Sequence, residues 1–149
     1  MKILIISIPR SGSTSLFNAL VHSSEEIKFD PYLEPWNPNI DKYIGKDLDF
    51  NGNCIVKTIV HQKPLGISWQ DFYTKLIEKF DKVVLLSRIN KVEVLESLSY
   101  AEEATKRRLM FDWHVKYNYK DIKDLPLEKY AGIVDFFYRR LNEIKKLFN

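Results

Sequence analysis

The chain has 149 residues, of which 45% are hydrophobic and 29% charged, and its formal net charge is +3. That length suits a single domain over residues 1–149 with a core of its own, and the composition excludes a disordered chain. The small positive excess argues against a nucleic-acid binder and suits a pocket for a multiply charged anion.

In chain order, Ile3–Ile8 is a continuous apolar run that ends at Pro9. It reads as a buried parallel strand. It is too short to cross a bilayer and lacks the cleavage site of a signal peptide, so no membrane partner is expected. Ser13–Val21 follows as a helix with Leu16, Ala19 and Leu20 on one face. Asp30–Asn53 mixes Gly and Pro with polar and aromatic residues and reads as a long loop, the kind that carries binding residues. Cys54–Val60 is a second apolar strand. Cys54 is the single cysteine, which excludes an internal disulfide and a cysteine zinc cluster and points to a reducing, cytoplasmic compartment.

Ser68 and Asp71 have the spacing of a capping box. Behind them Trp69, Phe72, Tyr73, Leu76, Ile77 and Phe80 repeat at helical spacing. Lys82–Ser87 contains a third buried strand, Val83–Leu86. Lys91–Tyr100 begins a helix that runs towards Phe111. Leu127–Phe148 is the last helix, with a core stripe of Tyr130, Ile133, Val134, Phe137, Leu141, Ile144 and Phe148.

This strand–helix alternation predicts an α/β fold with a small parallel sheet, strands near 3–8, 54–60 and 82–87. The expected spatial order is 54–60, 82–87, 3–8, with the first strand at one side. Ligands in such sheets sit beyond the carboxyl ends of the strands, here Pro9, His61 and Arg88.

The first of these ends has the clearest chemistry. Ile8-Pro9-Arg10-Ser11-Gly12-Ser13-Thr14-Ser15-Leu16 joins strand to helix. Small residues let the backbone curl around an anion, and N–H groups at the helix start donate to it. Ser11, Ser13, Thr14 and Ser15 offer hydroxyls, and Arg10 a charged fork. Ser-Gly-Ser alone reads as an ordinary capped turn; the strand before it, the helix after it and Arg10 point to phosphate. A Walker loop is absent, since Gly12 is the loop's single glycine and no lysine lies in it.

Pro9-Arg10-Ser11-Gly12-Ser13-Thr14-x-Leu16 resembles the 5′-phosphosulfate loop of the sulfotransferases that use 3′-phosphoadenosine 5′-phosphosulfate, particularly small bacterial or viral members. The resemblance covers residues 1–100 and implies a P-loop-like three-layer α/β/α sandwich. It also implies that Arg10, Ser13 and Thr14 hold the 5′-phosphate and bridging oxygen. Val83–Leu86 followed by Ser87-Arg88, with Ser97 nine residues after the arginine, is similar to the family's 3′-phosphate motif; Ser99 is the fallback. Val56-Lys57-Thr58 resembles the second strand, whose lysine contacts the sulfuryl group. Where cytosolic members place a histidine base this chain has Ile59, and His61 is the nearest histidine. Glu34, in Phe29–Trp36, matches a region where other members carry a glutamate base. The family's late Gly-x-x-Gly-x-x-Lys element has no counterpart after Tyr100.

The resemblance thus implies transfer of a sulfuryl group to a hydroxyl or amine of a small-molecule, carbohydrate or peptide acceptor, with no metal. Trp113, His114, Tyr117 and Tyr119 form an aromatic patch suited to core packing or to stacking on a ring, and Arg107-Arg108 is a solvated face or a phosphate contact. Two other readings stand beside this one: a nucleotide or phosphate kinase with a degenerate loop, and a non-catalytic nucleotide-binding module.

Overall fold

The computed structural model describes residues 1–23, 28–29, 52–63, 66–106 and 124–148. They group into two compact units, Met1–Ser87 with Phe137–Asn149, and Arg88–Phe136. The first unit contains β1 (Lys2–Ser7), α1 (Ser13–His22), β2 (Lys28–Phe29), β3 (Cys54–Ile59), α2 (Trp69–Ile77) and β4 (Lys82–Leu86). The second contains α3 (Lys91–Lys106). Helix α4 (Leu127–Lys145) begins in the second unit and ends in the first, followed by a 3-10 turn, Lys146–Phe148.

The sheet runs β2-β3-β1-β4, and every neighbouring pair is parallel. The α/β class and the small parallel sheet therefore hold, and the two-residue β2 extends it. The strand order differs from expectation. β1 lies between β3 and β4 rather than at one side. The reason is burial: Leu4, Ile5, Ile6 and Ile8 are fully enclosed. Such a run fits a strand paired on both edges and covered on both faces. β4 starts exposed and stays half-buried, so it tolerates the edge.

Side chains alternate across the sheet. Ile3, Ile5, Ile55 and Val84 meet Phe17, Leu16, Leu20 and Val21 of α1. Phe17 is fully buried and Ala19 exposed, so the helix is rotated from the face expected, with the larger ring taking the sheet side. Truncating such a ring costs about 3–5 kcal/mol. Thr58, on the opposite face, bonds to Tyr73 of α2. α2 starts at Ser68, whose Oγ accepts from the Asp71 N–H at 3.0 Å and donates to the Asp71 carboxylate at 2.7 Å. That cap contributes about 1 kcal/mol. The Arg140 guanidinium lies 4.1 Å from the Trp69 ring centroid, holding the end of α4 beside α2.

In the second unit Tyr100 and Ala104 are buried with Leu125 against them. The Tyr130 hydroxyl donates to Glu103 at 3.0 Å, tying α4 to α3. Of the predicted stripe on α4, Tyr130, Val134, Phe137, Leu141 and Ile144 are buried, whereas Ile133 and Phe148 are exposed. The buried five keep strict three–four spacing. Ile133 falls a helical step off that line, and Phe148 lies in the 3-10 turn, where the tighter winding breaks the register. Among the described residues no helix is long and apolar enough to cross a membrane.

Candidate functional site

Ser7 is level with Ile59 and Leu86, so three strands of the first unit end together. From the central one the chain enters Pro9–Gly12. The Ile8 N–H still bonds to the Leu86 carbonyl at 3.2 Å, which fixes the take-off of the loop. Arg10 then adopts φ 61° and Gly12 φ 82°. Between them the Ser11 hydroxyl donates back to the Ile8 carbonyl at 2.8 Å. That serine serves the turn itself, a role the sequence did not distinguish from anion binding. Backbone that passes in and out of the left-handed region turns successive N–H groups into one concavity, a shape that suits anions.

Gly12 is also the N-cap of α1 and contributes no side-chain bond to it. Among the described residues, a Cβ built there meets nothing within 4 Å. Glycine is thus required by its φ rather than by crowding from any described residue. The first intrahelical bond runs from Leu16 N–H to the Gly12 carbonyl at 3.1 Å. The N–H groups before it have no partner within the helix. No acidic residue lies in the first turn, so nothing there offsets the positive end of the helix dipole. Ser13 is buried, Thr14 half-buried and Ser15 exposed.

Lys57 reaches this turn from β3. It shares a strand face with Ile55, which packs on Phe17. One step further along that face its side chain arrives at the start of α1. Its Nζ donates to the Thr14 Oγ1 at 2.9 Å, and the residue is 3% exposed. Taking an ammonium out of water costs several kcal/mol, to be offset by its surroundings. Here the ammonium and the helix start, both positive, converge. Thr14 accepts from Lys57, which leaves its own hydroxyl proton for a separate bond.

The turn that leaves β3 carries His61. The Gln62 N–H donates to the Ile59 carbonyl at 2.8 Å. The Tyr73 hydroxyl is shared between the Ile59 carbonyl at 2.8 Å and the Gln62 carbonyl at 3.3 Å. Burial raises the Tyr73 pKa well above its usual value, so it remains a donor. The His61 ring stacks on Phe137 at 5.0 Å and 29°. Although the residue as a whole is exposed, that ring face is shielded from water, and the desolvation lowers its pKa from 6.5. His61 is therefore neutral at pH 7 and able to accept a proton, but it is turned onto Phe137 rather than joined to the loop.

In the second unit the exposed Arg88 lies 3.6 Å from the Glu93 carboxylate. Glu93 also accepts from the Asn90 amide at 3.1 Å, and the Asn90 Oδ1 accepts from the Val92 N–H at 3.0 Å, capping α3. Exposed pairs of this kind contribute about 0.2–1 kcal/mol. Ser97 is buried on α3, and Ser99 is fully buried with its Oγ unpaired among the described residues. Glu34, the expected base, lies outside the described residues, as do Arg107, Arg108, Trp113, His114, Tyr117 and Tyr119.

Lys57 to Thr14 is thus a contact, among the described residues, that unites two of the expected ones. Tyr73 and Gln62 were not singled out for the site in sequence. The signal that pointed to Tyr73 was a tyrosine in an apolar stripe, whose hydroxyl needs a partner when buried. No family model, no curated protein and no solved structure matches the chain.

Proposed function

We propose that the chain binds 3′-phosphoadenosine 5′-phosphosulfate and transfers its sulfuryl group to a hydroxyl or amine acceptor, on a P-loop-like three-layer α/β/α fold. The observation that carries this reading is the buried Lys57 ammonium, 2.9 Å from Thr14 at the start of α1. Two positive elements brought together at the open end of a parallel sheet favour a multiply charged anion. No described residue crowds a Cβ built at Gly12, and the first turn of α1 carries no acid, which suits such an anion. Cys54 is buried and is the single cysteine of the sequence, in keeping with a cytoplasmic setting.

The donor nucleotide is a substrate and supplies an activated sulfuryl group. Loop N–H groups, Arg10, Ser13 and Thr14 are assigned to the 5′-phosphate, with Ser11 shaping the turn and Ser15 at its outer side. Arg88 and Ser97 are assigned to the 3′-phosphate. The acceptor oxygen or nitrogen forms its bond to sulfur as the bond from sulfur to the 5′-phosphate oxygen breaks. The leaving bisphosphate keeps that electron pair, and the acceptor proton passes to the base. Lys57 and Arg10 stabilise charge on the sulfuryl oxygens and the leaving phosphate, usually the largest catalytic contribution. Glu34 is assigned as base and His61 is its rival; such help is worth ~10²–10⁴-fold.

Two measurements test this. Unfolding should be followed with 3′-phosphoadenosine 5′-phosphate, adenosine 5′-monophosphate, or ATP with magnesium. The bisphosphate should stabilise most; a larger shift with ATP would favour a kinase. Transfer of sulfur-35 from labelled donor to an acceptor mixture should then collapse in Glu34→Gln while donor binding persists. Wild-type rate in Glu34→Gln with collapse in His61→Ala would reverse the base assignment. Binding without any transfer would reduce the chain to a binding module.

A further inference from the structure

Tyr73 is fully buried on α2, and its hydroxyl reaches three points on one strand end. It donates to the Ile59 carbonyl at 2.8 Å and to the Gln62 carbonyl at 3.3 Å. Carbonyls only accept, so the single phenolic proton is shared between them. The phenolic oxygen is then left to accept from the Thr58 hydroxyl. Packing alone does not call for this arrangement. Phenylalanine would supply nearly the same apolar contact beside Phe72 and Leu76, and it would bury no polar atom.

The three points fix the part of β3 that carries Lys57. Lys57 and Thr58 are neighbours in that strand, and their side chains leave opposite faces of the sheet. Thr58 goes to Tyr73, while Lys57 goes to Thr14 at the start of α1. The backbone is gripped again one residue later, at the Ile59 carbonyl, which also accepts from the Gln62 N–H at 2.8 Å. The Val60 N–H bonds to the Ser7 carbonyl at 2.9 Å, so the same segment is joined to the end of β1, from which Pro9–Gly12 departs. A charged group serves a site only when the residues behind it hold its place.

We propose that Tyr73 is a positioning residue for Lys57: through Thr58 and the Ile59 carbonyl it holds the end of β3 so that the ammonium stays at the start of α1. The inference rests on the function proposed above, which gives Lys57 its anion. Tyr73 works from the far face of the sheet, through the strand and not on the ligand.

The test is a double-mutant cycle on the full chain, read as the dissociation constant of 3′-phosphoadenosine 5′-phosphate by calorimetry. Tyr73→Phe removes the hydroxyl and keeps the ring. It should weaken binding roughly fivefold in the wild-type background. In the Lys57→Met background it should change nothing, because no ammonium is left to position. A tyrosine that serves the fold alone lowers the melting temperature and gives no such coupling. Wild-type affinity in Tyr73→Phe, or an equal loss in both backgrounds, overturns the role of Tyr73. If Tyr73→Phe does not fold, Thr58→Val removes one arm of the same clamp and decides in its place. If Lys57→Met binds as tightly as the wild type, the assignment of Lys57 falls, and this inference falls with it. If the wild type does not bind the bisphosphate, the functional reading itself falls and takes the inference with it.

Discussion

Replacing Lys57 by methionine separates a structural lysine from one kept for an anion. The side chain is 3% exposed, and its Nζ lies 2.9 Å from Thr14. Methionine fills nearly the same volume without the charge. If the ammonium serves mainly the fold, losing its bond to Thr14 lowers stability by about 0.5–1.5 kcal/mol or more. If it is there for an anion, the ligand-free variant is as stable as the wild type or more so, since the penalty of keeping a buried charge is gone. Affinity then falls by one charge-assisted bond, about 1.5–3 kcal/mol, or at least tenfold. The assay is urea unfolding with and without 3′-phosphoadenosine 5′-phosphate. At a concentration ~100 times the wild-type dissociation constant, the wild type gains about 2.7 kcal/mol. A tenfold loss of affinity reduces that gain to about 1.4 kcal/mol at the same concentration. A variant that is less stable without ligand yet gains as much with it would refute the reasoning and leave Lys57 as a holder of α1.

Gly12→Ala should destabilise the fold by about 1–2 kcal/mol in urea, because φ 82° is unfavourable to any side chain although no described residue crowds it; no loss of stability would mean that the loop is not held in this conformation. Arg88→Ala should leave stability nearly unchanged, since its pair with Glu93 is exposed, while weakening the bisphosphate at least tenfold more than adenosine 5′-monophosphate; equal losses for both ligands would place Arg88 away from the 3′-phosphate. His61 has a folded pKa lowered by burial, so the unfolded chain takes up its proton first. Stability should therefore fall as pH drops through 6.5 and level off below the folded pKa. His61→Phe should flatten that slope in a series of melts, and an unchanged slope would assign it to other groups.

The parts legible in sequence are those that local chemistry decides. The apolar Ile3–Ile8, the small residues after Pro9 and the start of α1 at Ser13 all follow from neighbours in the chain. So does the Ser68 cap, with its bond from the Asp71 N–H. Strand order was not legible, because alternation of strands and helices fixes parallel pairing without ranking the strands. Here the complete burial of Leu4–Ile6 settled the ranking. Phe17 was missed because the periodic pattern weighed Leu16, Ala19 and Leu20 alike, whereas packing favours the ring that fills the most space over Ile5 and Ile55. Lys57 and Thr14 were each marked for the site, but their contact across 43 positions depends on the register that sets Lys57 opposite Ile5. Tyr73 was read as part of an apolar stripe and Gln62 was not singled out, for a similar reason: the bonds they make exist only where the end of β3 meets α2.

Arg10 is the residue whose backbone argues most directly for a ligand. With φ 61° it occupies a conformation that costs a side chain about 1–2 kcal/mol and costs glycine little. A turn shaped only to carry the chain from β1 to α1 is better made with glycine here, as it is two residues later at Gly12. A guanidinium kept at this position despite the strain implies a use for the guanidinium itself. The surroundings narrow that use. The neighbouring Ser11 hydroxyl is committed to the Ile8 carbonyl, the helix start presents N–H groups, and Lys57 brings a second cation to Thr14. The Lys57 ammonium and the positive end of the helix dipole thus meet at the junction whose backbone Arg10 shapes. An anion with several oxygens is the ligand that such a junction favours. This is the physical ground for proposing a phosphate site at the junction, independent of any likeness in the order of its residues.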